Sequence, residues 1–178
     1  MERISLSDMD RKYFSEAWEL YEAAFPLEER RSITGQKRIM EIDEYHFDVI
    51  LMDKAMAGIL LWWGFKEFTF IEHFATVADL RGKGYGNRIL REFMETQKRI
   101  VVLEVEPPVD ELKKRRVDFY RKLGFVLNSH FYVQPPMQEG SGPLQLNLMS
   151  WPTAFAEESV ALFVGNYHPV IYDQEFLS

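Results

Sequence analysis

Cysteine is absent from all 178 residues, which excludes a disulfide framework, a thiolate metal cluster and a cysteine nucleophile, and fits a reducing compartment. No apolar run reaches the roughly 18 residues of a membrane span, and Met1, Glu2 and Arg3 lead into a polar stretch. We therefore expect neither a transmembrane segment nor a secretory signal, and a cytoplasmic location. Positive charge is also scarce: 21 basic against 28 acidic residues give −7, which argues against electrostatic binding to nucleic acid. Repeats, low-complexity tracts and linkers long enough to divide the chain are lacking too. What is present is 47% hydrophobic and 15% aromatic content. A chain of this size buries roughly two-thirds or more of the surface its unfolded form exposes, so one compact domain is expected.

Residues 6–25 place Tyr13, Phe14, Ala17, Trp18, Leu20, Tyr21 and Ala24 at steps of three and four. This is the pattern of an amphipathic helix, capped by Ser7 or Asp8 and stopped by Pro26. A second short helix follows Thr34. Residues 46–52 and 57–63 are rich in Val, Ile, Leu and Trp, with Asp53, Lys54, Ala55 and Met56 between them, and read as a hairpin. Residues 68–77 form a third strand. Next, residues 85–97 put Ile89, Leu90, Phe93 and Met94 on one side of a helix, and residues 100–105 are a β-rich apolar run. A helix over 110–123 ends at Gly124, the residue a helix C-terminus favours. Strands at 125–133 and 144–149 flank a loop with Pro135, Pro136, Gly140, Gly142 and Pro143. A terminal helix over 152–164, stopped by Gly165, and an irregular tail from Asn166 to Ser178 complete the chain. This order gives an α+β class with a mixed sheet.

The strongest chemical signal is Arg81-Gly82-Lys83-Gly84-Tyr85-Gly86-Asn87, between a strand and a helix. Glycine lets backbone turn tightly and approach a ligand, while the unpaired N–H groups of a helix start favour an anion such as phosphate. A dinucleotide-binding G-x-G-x-x-G needs glycine at position 87, and a G-x-x-x-x-G-K-[ST] nucleotide loop is not spelled here. A tight turn without a ligand is the plain alternative.

Arg81-x-x-Gly84-x-Gly86 resembles the R/Q-x-x-G-x-G/A pyrophosphate loop of the GNAT acyltransferase superfamily. Phe119-Tyr120-Arg121-Lys122-Leu123-Gly124-Phe125 resembles its F-Y-x-x-x-G-F segment, in the family's order and with one strand and one basic helix between the two. The likeness covers residues 4–149. It implies a mixed, mostly antiparallel sheet flanked by helices, with a V-shaped splay after the strand ending near Val77. It also implies a GNAT-like acyltransferase domain over 1–150, with residues 151–178 docked on it as a C-terminal helix and tail. The implied donor substrate is acetyl-CoA, with pantetheine pairing along Phe74, Ala75, Thr76 and Val77. Pyrophosphate would sit beside Arg81 on the amides of Gly82, Lys83, Gly84, Tyr85, Gly86 and Asn87. Where many members carry an asparagine that contacts the pantetheine arm, this chain has Lys113. Lys113, Lys114, Arg115, Arg116, Arg121 and Lys122 make a basic helix suited to the coenzyme's 3′-phosphate, with ordinary exposed charge as the alternative.

Acyl transfer from a thioester to an amine needs a neutral nucleophile, donors for the developing oxyanion and a proton for the leaving thiolate. Alternation from Phe68 puts Phe70, Glu72 and Phe74 on one strand face, and burial among aromatics should raise the pKa of Glu72, the candidate base. A salt-bridged or edge-exposed glutamate is the alternative. His73 falls on the opposite face and reads as structural. The resemblance makes Tyr120 the candidate general acid, with a core aromatic as the alternative, and a backbone N–H near Thr76 or Val77 the oxyanion donor. Trp62, Trp63, Phe65, Phe68 and Phe70 read mostly as sheet core. The resemblance places Glu28 and Glu29, beside Arg30 and Arg31, in the region that covers the acceptor in this superfamily, where acidic residues would attract a cationic amine; a solvated charged turn is the plainer alternative. His46, His73, His130 and His168 lack metal-ligand spacing, so no metal is expected.

Two function classes remain: an acyl-CoA-dependent N-acyltransferase acting by direct attack on a small-molecule or peptide amine, and a non-catalytic module that keeps the coenzyme site for sensing or assembly. An S-adenosylmethionine methyltransferase is disfavoured, since its glycine loop follows an early strand and this one begins at residue 81. The sequence names no acceptor and leaves both monomer and homodimer open.

Overall fold

In this computed structural model, residues 1–9, 12–138 and 140–172 are described. The strands are β1 (Glu2–Leu6), β2 (Tyr45–Met52), β3 (Ala55–Gly64), β4 (Phe68–Thr76), β5 (Ile100–Val105), β6 (Val126–Leu127), β7 (Tyr132–Gln134) and β8 (Leu144–Trp151). They pair in the order β1-β2-β3-β4-β5-β8-β6, with β7 also on β8. Only β4 and β5 run parallel, joined by a crossover helix, α3 (Tyr85–Glu95), as a parallel connection requires. The sheet is therefore mixed and mostly antiparallel, as expected. The β2–β3 hairpin closes on two residues, Asp53 and Lys54, both with positive φ, the twist-matched turn such hairpins prefer.

Two cores form on the two faces of the sheet. One packs α1 (Phe14–Ala24), α2 (Ile33–Ile39) and the C-terminal helices against Phe47, Trp63 and Phe70. The other holds α3 and α4 (Glu111–Lys122) against Ile71, Leu103 and Met149. Helix α4 begins at Asp110, whose Oδ1 accepts the Lys113 N–H at 2.9 Å. It ends at Gly124, with φ +93 and the Phe125 N–H returned to the Tyr120 carbonyl, as the sequence indicates.

Several elements depart from expectation. β1 is a strand the polar start conceals: an edge strand buries little, and of its five residues only Leu6 is fully buried. The first helix starts at Phe14, with no side-chain cap, rather than near Ser7 or Asp8; Asp10 and Arg11 lie outside the described residues. The strand expected over 125–133 is two short ones. Asn128 breaks it: its Nδ2 donates to the Leu148 carbonyl and Ser150 Oγ, both at 3.1 Å, and its Oδ1 accepts the Phe155 N–H at 2.8 Å. Gly165 does not stop the last helix. α5 (Glu157–Leu162) passes through a π turn (Phe163–Tyr167) into α6 (His168–Ile171). Glycine costs only about 1 kcal/mol in a helix, and burying Phe163, Ile171 and Tyr172 outweighs it. The remaining tail, residues 173–178, lies outside the described residues. No helix among the described residues is long and apolar enough to cross a membrane.

Candidate active site

The site begins where the parallel pair comes apart. β4 and β5 are in register from Phe68 opposite Ile100 to Ile71 opposite Leu103, and no further. At the next residue β4 bulges: Leu61 of β3 faces His73 and Trp62 faces Ile71, which leaves Glu72 without a partner. A bulge bends its strand. Beyond it β4 diverges from β5, and a cleft of about 730 Å³ opens between His73, Phe74, Ala75 and Thr76 on one side and Glu104 and Val105 on the other. The splay therefore opens within β4, before Val77.

Backbone polarity in this cleft follows from the ladder. The Val77 N–H donates to the Ala57 carbonyl at 3.0 Å. Antiparallel partners alternate between exchanging and not exchanging hydrogen bonds, so Ala75 and Val77 turn their polar groups to β3, while Phe74 and Thr76 turn theirs to the cleft. That corrects the expectation for Val77: its N–H is occupied and cannot serve an oxyanion. Thr76 keeps that option for its N–H, and its carbonyl accepts from Arg81 Nε at 3.2 Å.

At the glycine-loop end, Gly82 and Gly84 have φ of +72 and +84, and Gly84 caps α3 without any side-chain hydrogen bond. The first intrahelical donor is the Arg88 N–H, bonded to the Gly84 carbonyl, so the N–H groups of Tyr85, Gly86 and Asn87 have no helical acceptor. A Cβ on Gly86 would stand 3.5 Å from the rings of Phe74 and Phe119. Arg81, Gly82, Gly84, Gly86 and Asn87 line the cleft; Lys83 and Tyr85 do not. Of the six basic residues on or beside α4 only Arg116 and Lys122 reach its wall. Lys113 does not: it is tied to Glu106 at 3.3 Å and Asp110 at 3.6 Å, and its hydrogen bond to Glu106 raises its pKa. Tyr120 does line the cleft, edge-on to Phe119 and Phe125. Burial pushes its phenol up to about 12, so it carries its proton at neutral pH.

The other end of the cleft overturns the reading of Glu72. Because of the bulge, Phe70 and Phe74 fall on opposite faces, while Glu72 and His73 turn to the same one. Glu72 Oε1 is paired with Arg31, and Oε2 accepts the Trp63 indole N–H at 2.6 Å. Its side chain is 1% exposed and that of Arg31 0%. Burial alone would raise the carboxyl of Glu72, but the Arg31 guanidinium prevails and holds it at about 2. Held by a buried guanidinium at so low an affinity for protons, Glu72 is not suited to be a base. His73 is edge-on to Tyr21 and Phe25, and its Nε2 donates to the Glu29 carbonyl at 2.7 Å. Both side chains fasten the α1–α2 segment over the cleft, where Ala24, Phe25 and Glu29 form part of the wall.

A second carboxylate, not singled out by the sequence reading, faces Glu72 across the splay. Glu104 Oε1 accepts the hydroxyls of Tyr132 and, at 2.8 Å, Tyr172; Oε2 accepts Gln134 Nε2 at 2.6 Å. Burial raises its carboxyl to about 7, against these three donors. His168 Nε2 lies 2.8 Å from the Tyr132 hydroxyl, and burial lowers this imidazole to about 4, so it is neutral. The signal was present in the sequence: Glu104 is the one charged residue in the run Ile-Val-Val-Leu-Glu-Val over 100–105.

A mixed sheet whose one parallel pair parts over a glycine-loop helix defines the GNAT fold class. Comparison with known proteins agrees. The model of the acetyltransferase (GNAT) domain matches residues 43–127. A Bacteroides thetaiotaomicron protein assigned to the GNAT acetyltransferases is 35% identical and superposes with a TM-score of 0.90, covering 97% of this chain and 98% of that one. The Bacillus subtilis protein YjbC, assigned as an acetyltransferase, is 31% identical over 109 residues, 60% of this chain and 52% of its own length. The match thus spans about half of that curated relative. A Bacillus subtilis acetyltransferase solved in complex with CoA shares the fold at 12% identity, with a TM-score of 0.57 over 86% of this chain and 99% of that one. The chain belongs to the GNAT acetyltransferase family.

Proposed function

We propose that this protein is an acetyl-CoA-dependent N-acyltransferase that moves a short acyl group to a primary amine by direct attack in a ternary complex. The observation that carries this reading is the pairing, in one cleft, of a carboxylate raised to about 7 at Glu104 and a protonated phenol at Tyr120. Two titratable groups held far apart in pKa are the mark of an acid and a base. The uncapped N–H groups of α3 suit a pyrophosphate, and the cleft-facing amides of Phe74 and Thr76 suit a pantetheine arm; a family relative of the same fold was solved with CoA. Coenzyme A supplies the acyl group as a thioester.

The chain's own residues do the rest. An ammonium gives up two protons on becoming an amide. Glu104 takes the one that frees the lone pair and passes it to solvent; the second balances the proton that Tyr120 gives to the leaving sulfur. The carbon–nitrogen bond forms as the carbon–sulfur bond breaks, and a cleft-facing backbone N–H of β4 not taken by the pantetheine arm steadies the oxyanion.

The test is incubation with acetyl-CoA and a broad panel of primary amines, reading free thiol and product mass. Thiol release that depends on amine, with an acylated amine as product, is the expected result; coenzyme binding without transfer to any amine overturns the reading. Tyr120→Phe should lower kcat roughly 100- to 10,000-fold while leaving coenzyme affinity nearly intact, and wild-type turnover in that variant would make Tyr120 a packing residue.

A further inference from the structure

Gln134 lines the cleft beside Glu104 and is 6% exposed. It sits at the end of β7, opposite Leu144 of β8. Its Nε2 donates to Glu104 Oε2 at 2.6 Å. Ionised, as the base must be before it takes a proton, Glu104 only accepts, so this contact sets which end of the amide is nitrogen. Oε1 is left buried without a hydrogen-bond partner. Leaving a buried acceptor unsatisfied is costly, and folded proteins keep few such atoms. Gln134 belongs to the cleft's own wall, next to the carboxylate assigned above to the acceptor's proton.

We propose that Gln134 makes the acceptor site select an amine over a hydroxyl: its free amide oxygen and the Glu104 carboxylate form a two-point seat for a nitrogen that carries at least two hydrogens. This rests on the N-acyltransferase reading and deepens it. An ammonium donates to both oxygens at once. After one proton passes to Glu104, the neutral amine still donates an N–H to Gln134 Oε1, which holds the nitrogen while its lone pair attacks. A hydroxyl has a single hydrogen. Donated to Glu104, it leaves Gln134 Oε1 unpaired, and the hydroxyl's lone pairs then face a second acceptor. A site built around a polar partner rejects the analogue that cannot supply it.

The experiment measures kcat/KM for a panel of primary amines, each beside the alcohol of the same carbon skeleton, in the wild type and in Gln134→Met, which keeps the length of the side chain. Comparing the two proteins cancels the lower intrinsic nucleophilicity of alcohols. The seat predicts that the amine-to-alcohol ratio falls by roughly ten- to a hundredfold in the variant, as the loss of one buried acceptor implies. Tyr172→Phe serves as a contrast. It removes a donor to Glu104 but leaves the Gln134 oxygen in place, so it should move the acid limb of the pH profile upward without changing the ratio. Where Gln134→Met does not fold, Gln134→Asn, which retracts the amide by one methylene, carries the same comparison. Amine turnover with an unchanged ratio means that the oxygen holds only water and overturns the seat alone. No transfer to any amine by the wild type overturns the acyltransferase reading beneath it.

Discussion

Two glutamates stand on either side of one splay, and their neighbours drive them to opposite proton affinities. Glu72 meets a fixed guanidinium; Glu104 meets only neutral donors, which offset part of the cost of burying its charge. Folded, Glu104 titrates near 7 against an ordinary value of 4.5. Below about pH 4.5 both states are protonated; as pH rises toward 7 the unfolded chain ionises first, and the fold loses up to about 3 kcal/mol. Glu104→Gln should therefore stabilise the protein at pH 8, by up to that amount, and not at pH 4, as urea unfolding at the two pH values would show. An equal gain at both would assign the effect to packing. Glu72 has the reverse sign: its contribution is present above about pH 4.5 and is lost as pH falls through about 2. Arg31→Met leaves that anion buried and unpaired, and should cost about 3–5 kcal/mol at pH 7. The deficit should shrink at pH 4, where the bare carboxyl takes up a proton, and a deficit that does not shrink would count against the ion pair. Loss of the acid limb of kcat/KM in Glu72→Gln but not in Glu104→Gln would exchange the two assignments.

Among the elements, the glycine loop was legible because its demand is local. Positive φ at Gly82 and Gly84 and uncapped amides at the start of α3 follow from residue type and from the switch of period around position 85. Gly84→Asp would place a side chain in a left-handed conformation that disfavours one, and a negative charge where pyrophosphate belongs. Excess CoA should raise the melting temperature of the wild type, the equivalent of about 2.7 kcal/mol at a hundredfold excess over Kd. It should leave folded Gly84→Asp unmoved; an intact CoA shift in that variant would remove the loop from the site. The bulge in β4 was not legible. Strict alternation reads Phe70, Glu72 and Phe74 as one face, and only pairing with β3 shows that position 72 is the extra residue. One inserted residue reverses every side chain beyond it, and so the role of Glu72 and the face of His73 were misread together, while His73 is structural as expected.

At the scale of the molecule, the C-terminal helices buttress the Glu72 and Glu104 end of the cleft from far along the chain. The Ile171 carbonyl accepts Arg31 Nη2 at 2.7 Å, Tyr172 reaches Glu104, and His168 reaches Tyr132. Phe163 packs beneath them against Phe68, Phe70 and Phe155. Deleting the chain from His168 onward should lower the melting temperature by roughly 10 °C, the size expected from losing a few kcal/mol in a domain of this length. Any activity that remains should show its acid limb at higher pH, since Glu104 loses a donor. An unchanged melting temperature and limb would mean that the segment only decorates the surface.

Local chemistry is what the sequence by itself determined: the α+β class, a helix between two strands at α3, the glycine end of α4, the glycine loop and the family motifs. Each depends on residues within a few positions of one another, where backbone preference and period dominate. Tertiary structure alone decided which carboxylate is paired and which is left to take a proton. Glu72 and Arg31 are 41 positions apart, and Glu104 and Tyr172 are 68 apart. A carboxyl's proton affinity is set by charges and donors within a few ångströms, whatever their separation in the chain.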